Sequence, residues 1–428
     1  MEYLVFVVYL ILFAWLVTRV KFFTRSGLNN SQLIILFLLK VLAGIFYGWI
    51  GLYYGNLAQM LDTWSYHHIG LAEYDILKSD PRAYFTNLFN DPYPDKLGNF
   101  FGSSNSYWND LKGNVFVKIL SLFDIFSFGY YYVNVIFYSF LSLFGLIAFF
   151  RVVKDVFPGR KLLLLLTAFL MPSFIYWTSG IHKEGLLFVG LGLMIYHLYF
   201  GGKEKKYSFR RWIGIFSGIF ILLVLRNFLM MLVIPAIIAW FLAYRYPRRG
   251  IAIFLSVYLF FGLFFFTARH IDKRLDFPQA VVNKQKAFLM LQGGASSIPI
   301  KELEPTAASF LKNTPQAFTL SFLRPYPGDV QHLLSFAASI EINFMLLLFL
   351  LFLFARKKND VVSRNTIYLC IFLSCSILLA IGFSINNLGA IVRYRSITIP
   401  LLIIPIIAQT DWKKLASFLT EKNKTTGL

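Results

Sequence analysis

Long runs of apolar residues, separated by short polar segments, dominate this sequence. Most of these runs approach the about 17–25 residues that a helix needs to cross a lipid bilayer. Inside a bilayer the backbone N–H and C=O groups find no water, so a spanning segment must satisfy them within itself, as a helix does. We therefore expect an all-α fold, a polytopic membrane helix bundle that forms one membrane domain over residues 1–428.

Eleven segments are apolar enough to be counted as transmembrane helices, and the shorter ones are expected to be tilted or broken. One further segment, 114–128, carries Lys118 and Asp124 among apolar residues at helical spacing, which predicts a helix lying in the membrane interface. The eleven predicted spans are 3–20, 33–54, 130–150, 162–178, 186–200, 212–225, 228–244, 251–267, 336–354, 366–383 and 397–408.

Composition and charge exclude several classes of protein. With 57% hydrophobic and 14% charged residues, a water-soluble fold of 428 residues is excluded. The net charge of +20 would suit a nucleic-acid partner, but the basic residues lie in short loops between apolar runs and form no basic domain. Cys370 and Cys375 share one apolar span, which is typical of neither a disulfide framework nor a metal cluster. We expect a lipid bilayer as partner and no nucleic acid.

The short loops also predict the orientation of the chain. Every odd-numbered connection is basic, and so is the C-terminal tail, whereas cytoplasmic loops are the ones enriched in Lys and Arg. We therefore expect a multi-pass protein of the bacterial inner membrane, with the N-terminus outside and the C-terminus in the cytoplasm. The residues that carry this prediction are Lys21, Arg25, Arg151, Lys154, Arg160, Lys161, Lys203, Lys205, Lys206, Arg210, Arg211, Arg245, Arg248, Arg249, Arg356, Lys357, Lys358, Arg364, Lys413, Lys414, Lys422 and Lys424.

Two long loops, 55–113 and 268–335, then face outward and are expected to contain interfacial helices. Three short outer connections, 179–184, 226–227 and 386–395, carry charges that oppose the orientation rule. Ionisable groups at a membrane boundary are expensive to hold, so their presence indicates a function at the outer face.

Asp62 opens the first long loop, directly after an apolar span, and is the candidate catalytic residue. A carboxylate there can act as general base on an acceptor hydroxyl, or ligate a divalent metal ion. A helix cap or the start of a solvated loop would explain the residue equally simply. His67 follows as a candidate substrate-binding residue, as do Tyr107 and Trp108, whose rings suit either sugar stacking or lipid headgroups.

The second candidate segment is 171–185, where Pro172 and Gly180 break the helical run near the outer surface. Lys183 can bind a phosphate as a point charge, and His182 and Glu184 are candidate substrate-binding residues beside it. The simpler explanation is a local Lys–Glu pair at a turn, which contributes little when exposed.

Arginines complete the predicted site. Three arginines can bind phosphate oxygens in a bidentate manner: Arg226, Arg393 and Arg395. Arginines at helix ends also commonly extend their charged groups to the membrane interface without binding a ligand, which is the alternative explanation. In the second long loop, two prolines around Tyr326 predict a stiff turn that presents Arg324. Arg324 and Tyr326 are further candidate substrate-binding residues, but formation of the turn alone would also explain the segment.

This arrangement resembles the GT-C integral-membrane glycosyltransferases, with an acidic residue early in a large outer loop and basic residues in later outer segments. The resemblance implies transfer of a sugar from a polyprenyl-phosphate carrier to a glycan or lipid acceptor outside the cytoplasm. It further implies that Asp62 is the base or a metal ligand, and that Arg393 and Arg395 hold the carrier phosphate. No cofactor is required by the sequence, and a divalent metal ion is left open.

Two other functions are compatible with the sequence. A Wzy-like polysaccharide polymerase or glycan ligase would rely on arginines of the large outer loops, which suits Arg324. A lipid or glycan transporter would need charges buried along a pathway through the membrane, and Lys40 is the one clear mid-span candidate. Substitution of Asp62 by Asn should abolish a GT-C reaction, whereas a polymerase should depend more on Arg324 or Arg393.

Overall fold

The computed structural model describes residues 1–54, 62–90, 106–291, 296–357 and 361–417. Eight of its helices are long and apolar enough to cross a membrane, or up to ten candidate spans if each of two bent helix pairs is one. The expected all-α membrane fold is confirmed at this level. Short 3₁₀ and π turns connect some of the α-helices. In chain order, the α-helices of the described residues are α1 (Glu2–Arg19), α2 (Lys21–Thr24), α3 (Asn30–Tyr53), α4 (Asp62–Ser79), α5 (Pro81–Thr86), α6 (Tyr107–Ser127), α7 (Tyr131–Val156), α8 (Lys161–Leu164), α9 (Pro172–Ser179), α10 (Lys183–Lys203), α11 (Phe209–Arg245), α12 (Gly250–Thr267), α13 (Phe277–Leu289), α14 (Ala307–Phe318), α15 (Leu333–Phe354), α16 (Val361–Ser384), α17 (Leu388–Ser396) and α18 (Ile399–Gln409).

The two predicted outer segments contain helices that start at polar caps. Asp80 accepts from the N–H of Ala83 at 2.9 Å at the start of α5, and Asp276 accepts from the N–H of Gln279 at 3.0 Å at the start of α13. Such caps satisfy N–H groups that have no partner within the helix. The helix predicted over 114–128 is present as the C-terminal part of α6.

Two predicted spans are broken helices. The segment 162–178 contains α8 and a π turn followed by α9, and the two parts are bent by 71°. Pro172 opens α9, where its missing N–H cannot continue the preceding helix. The span predicted at 397–408 is α18, bent by 60° relative to α17. Residues 388–395, predicted as an outer connection, are therefore helical, and Arg393 and Arg395 lie on α17.

The two predicted spans 212–225 and 228–244 form one element, α11, which is interrupted by non-helical backbone at Arg226 (φ −158°, ψ 78°). The chain reverses there, because both ends of α11 lie near the same end of α10. A methyl group built on Gly202 would lie 3.7 Å from the Tyr207 hydroxyl and 3.8 Å from the Tyr244 ring. At the opposite end of α10, Arg226 contacts Glu184. The first arm of α11 therefore runs antiparallel to α10, and the second arm runs parallel to it.

The basic connections gather at one end of the bundle, which we term the basic end. Lys154 of α7 donates to the carbonyl of Ser26 at 2.7 Å, in the connection between α2 and α3. Arg160 donates to the carbonyl of Ile407 at 2.7 Å, near the end of α18. The alternation of basic and less basic connections seen in the sequence therefore corresponds to two physical ends of the molecule.

Candidate functional site

An ion pair between Asp62 and Arg393 lies at the end of the bundle opposite the basic end. The two residues are separated by 331 positions, and Arg393 NH1 donates to Asp62 Oδ2 at 2.8 Å. Asp62 is the first residue of α4, where a carboxylate is favoured by the free N–H groups of the first turn. Its side chain is half-exposed, so the pair can be reached from outside the protein.

A sharp bend between α9 and α10 brings a third group of residues to the same place. A side chain at Gly180 would overlap the ring of Tyr47, which explains why glycine occupies the bend. Below it, the buried ammonium group of Lys40 donates to the Thr178 carbonyl at 3.1 Å and to the Ser179 hydroxyl at 3.1 Å. A cation at the C-terminal end of a helix stabilises its unpaired carbonyls, so Lys40 holds the end of α9 in position.

His182 and Glu184 follow the bend and connect to the Asp62–Arg393 pair. His182 Nδ1 is hydrogen-bonded to Glu184 Oε2, and its Nε2 lies 3.5 Å from Asp62 Oδ2 and 3.4 Å from Arg393 NH1. Glu184 is fully buried. Its Oε1 accepts from Arg226 NH2 at 2.8 Å and lies 3.8 Å from Arg393 Nε. We call these five side chains the charged cluster: Asp62, His182, Glu184, Arg226 and Arg393.

Aromatic rings surround the two arginines of the charged cluster. The Arg226 guanidinium lies 4.1 Å from the centre of the Tyr394 ring, and Arg393 NH2 donates to the Tyr394 hydroxyl at 3.0 Å. The Arg393 guanidinium is also 5.9 Å from the ring of Trp177. Cation–π contacts of this kind fix the guanidinium planes. Neither Tyr394 nor Trp177 was among the residues selected from the sequence, although both lie inside segments that were.

The charged cluster perturbs the acidity of Asp62. The hydrogen bond to His182, together with the positive charge of Arg393, holds the pKa of the Asp62 carboxyl well below its ordinary value, against the opposing effect of burial. Burial and the Asp62 charge raise the pKa of the neighbouring Tyr66 hydroxyl. Asp62 is therefore ionised at neutral pH, and while Arg393 is its partner it is a weak base.

A cavity of about 640 Å³ borders the charged cluster, and Asp62 and Arg393 form part of its lining. Its walls come from α3, α9, α15 and α17, and include the aromatic side chains of Phe46 and Tyr176. Glu341 of α15 also lines the cavity and accepts from the N–H of Ser173 at 2.6 Å. A cavity of this size is typical of sites for small molecules.

Lys183 and Arg395, both predicted to bind phosphate, occupy different surroundings. Lys183 lies beside the charged cluster, with its ammonium 5.2 Å from the ring of Tyr66. Arg395 faces away from the cluster and is 1% exposed. Its guanidinium donates to the carbonyls of Ser321 at 3.0 Å and Arg324 at 2.7 Å. Arg395 therefore binds α17 to the 321–324 backbone, and the structure does not bring it to the position expected for a phosphate ligand.

Arg324 and Tyr326 form a separate turn. Arg324 NH1 lies 3.3 Å from Asp329 Oδ1, and its guanidinium is 5.2 Å from the Tyr326 ring. A turn is present at this position, with Pro327–Asp329 as a short 3₁₀ segment. The turn borders the cavity through Pro325, but Arg324 and Tyr326 are not among the residues that line it.

The remaining predicted residues lie outside the charged cluster. His67 is buried against Tyr131, with ring centres 5.3 Å apart, and burial followed by the charge of His68 lowers its pKa to about 4. The Tyr107 hydroxyl donates to the carbonyl of Leu88 at 3.1 Å, and its ring packs against Trp108 at 5.4 Å. These contacts give the three aromatic side chains structural roles in the segment between α3 and α7.

Among the residues that the structure describes, no group of three or more His, Cys, Asp or Glu side chains is arranged to hold a metal ion. The chain matches no protein-family model, and no curated protein sequence or solved structure matches it. The geometry of the charged cluster and its cavity is therefore the basis on which a function can be proposed.

Proposed function

We propose that this protein is an integral-membrane glycosyltransferase that moves a sugar from a polyprenyl-phosphate donor to a glycan or lipid acceptor at the extracytoplasmic face, for assembly of cell-surface glycans. One observation carries the proposal: charged side chains from four distant segments meet beside a single cavity. They are Asp62, Glu184, Arg226 and Arg393. Opposite charges gathered at a cleft, with a perturbed carboxyl among them, favour a catalytic site over a purely structural one.

The arginines suit the carrier phosphate. A guanidinium presents its N–H groups in a fork that matches two phosphate oxygens, and Arg393 is one of the residues that line the cavity. Arg226 lies behind it, held by Glu184 at 2.8 Å. When the bond to the sugar breaks, negative charge develops on the phosphate. Fixed cations at that position lower the free energy of the transition state.

Binding of a phosphate at Arg393 would exchange the partners in the charged cluster. Asp62 accepts from Arg393 Nη1 at 2.8 Å, so a phosphate that binds this nitrogen must displace the Asp62 carboxylate. Without that cation beside it, the pKa of Asp62 would rise toward its ordinary value, because a nearby positive charge is one of the causes that lower it. Arrival of the donor would thus convert Asp62 from an ion-pair partner into a better base.

The transfer step then has a defined proton path. The acceptor hydroxyl oxygen forms a bond to the anomeric carbon, while the bond from that carbon to the phosphate oxygen breaks and its electron pair leaves with the phosphate. Asp62 takes the proton of the hydroxyl as general base. Asp62 is half-exposed and can then release that proton to water, while His182, oriented by Glu184, keeps its hydrogen bond to the Asp62 carboxylate.

We further propose eleven membrane crossings, with the N-terminus outside. The two arms of α11 reverse at Arg226, and counting them separately adds one crossing to the ten that include both bent pairs. The gathering of basic connections at one end supports placing that end in the cytoplasm of a bacterium, and the charged cluster outside. In intact cells, a cysteine placed at Ser208 should resist a membrane-impermeant thiol reagent; rapid labelling would contradict this orientation.

A transfer assay with a polyprenyl-phosphate-linked sugar and purified protein in lipid nanodiscs tests the proposal. Arg393→Gln should lower the rate by about 10²-fold, as expected for loss of a donor that stabilises the departing charge. Arg324→Gln removes an arginine that is paired with Asp329 outside the cluster, and should retain most activity. Loss of transfer in Arg324→Gln with retained transfer in Arg393→Gln would favour the polymerase or ligase. No transfer by the wild-type protein would contradict the proposal.

A transporter receives less support from the described residues. Lys40, the mid-span charge that a transport pathway would need, is engaged by the end of α9 through Thr178 and Ser179. It therefore has a structural role in placing the bend before His182.

A further inference from the structure

Glu341 is a buried carboxylate of the cavity wall that the proposed transfer step does not use. It lies on α15, is 3% exposed and lines the cavity together with Asp62 and Arg393. One of its oxygens accepts from the backbone N–H of Ser173 at 2.6 Å, and the other accepts from the Ser173 hydroxyl. Each oxygen of an ionised carboxylate has two lone pairs, so each can accept from one further donor. Glu341 is therefore fixed at the start of α9 and can still receive a donor from the cavity.

Glu341 has no ion-pair partner among the described residues. Arg393 is the only lysine or arginine of the described chain that lines the cavity, and it is paired with Asp62 at 2.8 Å. The charge of Arg395 acts on Glu341 from beyond ion-pair distance, while the Arg395 guanidinium donates to two backbone carbonyls. The N-terminus of α9 offsets part of the negative charge of Glu341. A buried carboxylate is otherwise costly to hold unless a cation pairs with it, so the position favours a cationic ligand.

Helix α9 relates the position of Glu341 to that of Arg393. Ser173, which binds Glu341, and Trp177, whose ring lies 5.9 Å from the Arg393 guanidinium, are four residues apart on α9. Four residues of an α-helix rise about 6 Å, and residues with this spacing lie on one face. Both side chains line the cavity. Glu341 therefore lies about one helical turn along the cavity wall from the charged cluster, a separation that a single sugar ring can bridge.

Aromatic rings also line this wall. Tyr176 lies one turn after Ser173, and its ring centre is 6.1 Å from that of Phe46 on α3. Both rings line the cavity. The face of an aromatic ring attracts an ammonium group, and a carboxylate in the same cavity supplies the opposite charge. The wall that carries Glu341 therefore suits a ligand with a protonated amine.

We propose that Glu341 binds the protonated amine of an amino sugar in the cavity. This inference rests on the proposed function and narrows the sugar to one that carries a free amine. An ammonium group supplies a positive charge together with N–H donors for the two oxygens of Glu341. A hydroxyl supplies a donor without the charge, and an N-acetyl group replaces the ammonium by a neutral amide. Glu341 would thus select the amine over either group.

Binding of three lipid-linked sugars to the full-length protein tests the inference. The probes are farnesyl phosphates that carry glucosamine, N-acetylglucosamine or glucose, and the nanodiscs are made of phosphatidylglycerol, which has no amine. At mildly acidic pH, where the amine is protonated, the wild type should bind the glucosamine probe about tenfold more tightly than the glucose probe, as expected for one charge-assisted hydrogen bond. The N-acetylglucosamine probe should show no such preference.

Glu341→Gln preserves the shape of the side chain and removes its charge. In this variant the affinity ratio of the glucosamine and glucose probes should fall close to one, while the glucose probe binds as it does to the wild type. Glu302→Gln is the matched control, since Glu302 is exposed, does not line the cavity and should leave the ratio unchanged. A variant that folds poorly lowers the binding of all three probes and does not alter their ratio.

Equal affinities of the wild type for the glucosamine and glucose probes would overturn the inference. A preference for the amine that persists in Glu341→Gln would also overturn it, because the amine would then lie on another group, such as Asp62. If the three probes bind equally and Arg393→Gln weakens all of them, the proposed function survives and only the amine site is lost. If no probe binds, the proposed function and the inference fail together.

Discussion

Substitution of Glu184 by Gln should destabilise the protein strongly, because Glu184 is the buried centre of the charged cluster. Its carboxylate has no exposed surface and receives Arg226 at 2.8 Å, His182 Nδ1 and, at 3.8 Å, Arg393. Glutamine preserves the shape of the side chain and removes the negative charge. The guanidinium of Arg226, 9% exposed, would then remain buried without its neutralising partner.

The magnitude follows from that burial. Removal of one partner of a buried ion pair costs about 3–5 kcal/mol, since the other charge stays desolvated. Arg226→Gln should have a similar effect. The double variant should cost less than the sum of the single variants by about 0.5–3 kcal/mol, because the second substitution removes a charge that is already unpaired. Glu204→Gln is the matched control: Glu204 is half-exposed in its pair with Arg211, so its loss should cost about 0–1 kcal/mol.

Unfolding by denaturing detergent, followed by circular dichroism in mixed micelles, measures these free energies of unfolding for the four variants and the wild type. The reasoning is refuted if Glu184→Gln is no less stable than Glu204→Gln. It is also refuted if the double variant loses the full sum, because the two side chains would then not be energetically coupled.

Two further predictions concern stability. The folded-state pKa of His67 is about 4, below its ordinary 6.5, so its contribution to the free energy of unfolding is complete above pH 6.5 and should fall by about 3 kcal/mol as the pH decreases toward 4. His67→Gln should flatten this pH dependence when unfolding is measured at pH 7 and pH 4. An unchanged pH dependence in the variant would contradict the prediction. Gly218→Ala should lower the free energy of unfolding by about 1–3 kcal/mol, since the added methyl group would lie 2.6 Å from the Gly190 carbonyl oxygen. Gly262→Ala is the control and should leave the stability unchanged, because the space around Gly262 is open. Equal effects of the two substitutions on the thermal midpoint would refute the close packing of α10 and α11.

The sequence predicted the membrane helices well and their breaks less well. Apolar length is a local property, so the long apolar helices could be located from composition alone; these are α1, α3, α7, α10, α11, α12, α15 and α16. The segment 388–395 was predicted as a loop because its arginines are polar, yet it forms the helix α17. Its helical geometry also explains why Arg393 and Arg395 separate: residues two positions apart lie about 200° apart around a helix, so only one can face the charged cluster.

The site was predictable only in part. Asp62, Glu184, Arg226 and Arg393 could be selected individually, because a charge at the end of an apolar run is conspicuous in a sequence. That they contact one another depends on which helices pack together, and periodicity carries no information about such pairs.

Donor binding and sugar transfer by Asp62→Asn, measured on the same preparation, test the exchange of partners at Arg393 most directly. Transfer should fall by about 10²–10⁴-fold, the range expected for loss of a general base. Affinity for the polyprenyl-phosphate-linked sugar should be retained or increase, because Arg393 would no longer be held by a carboxylate at 2.8 Å. Unchanged transfer, or loss of donor binding together with transfer, would contradict the account.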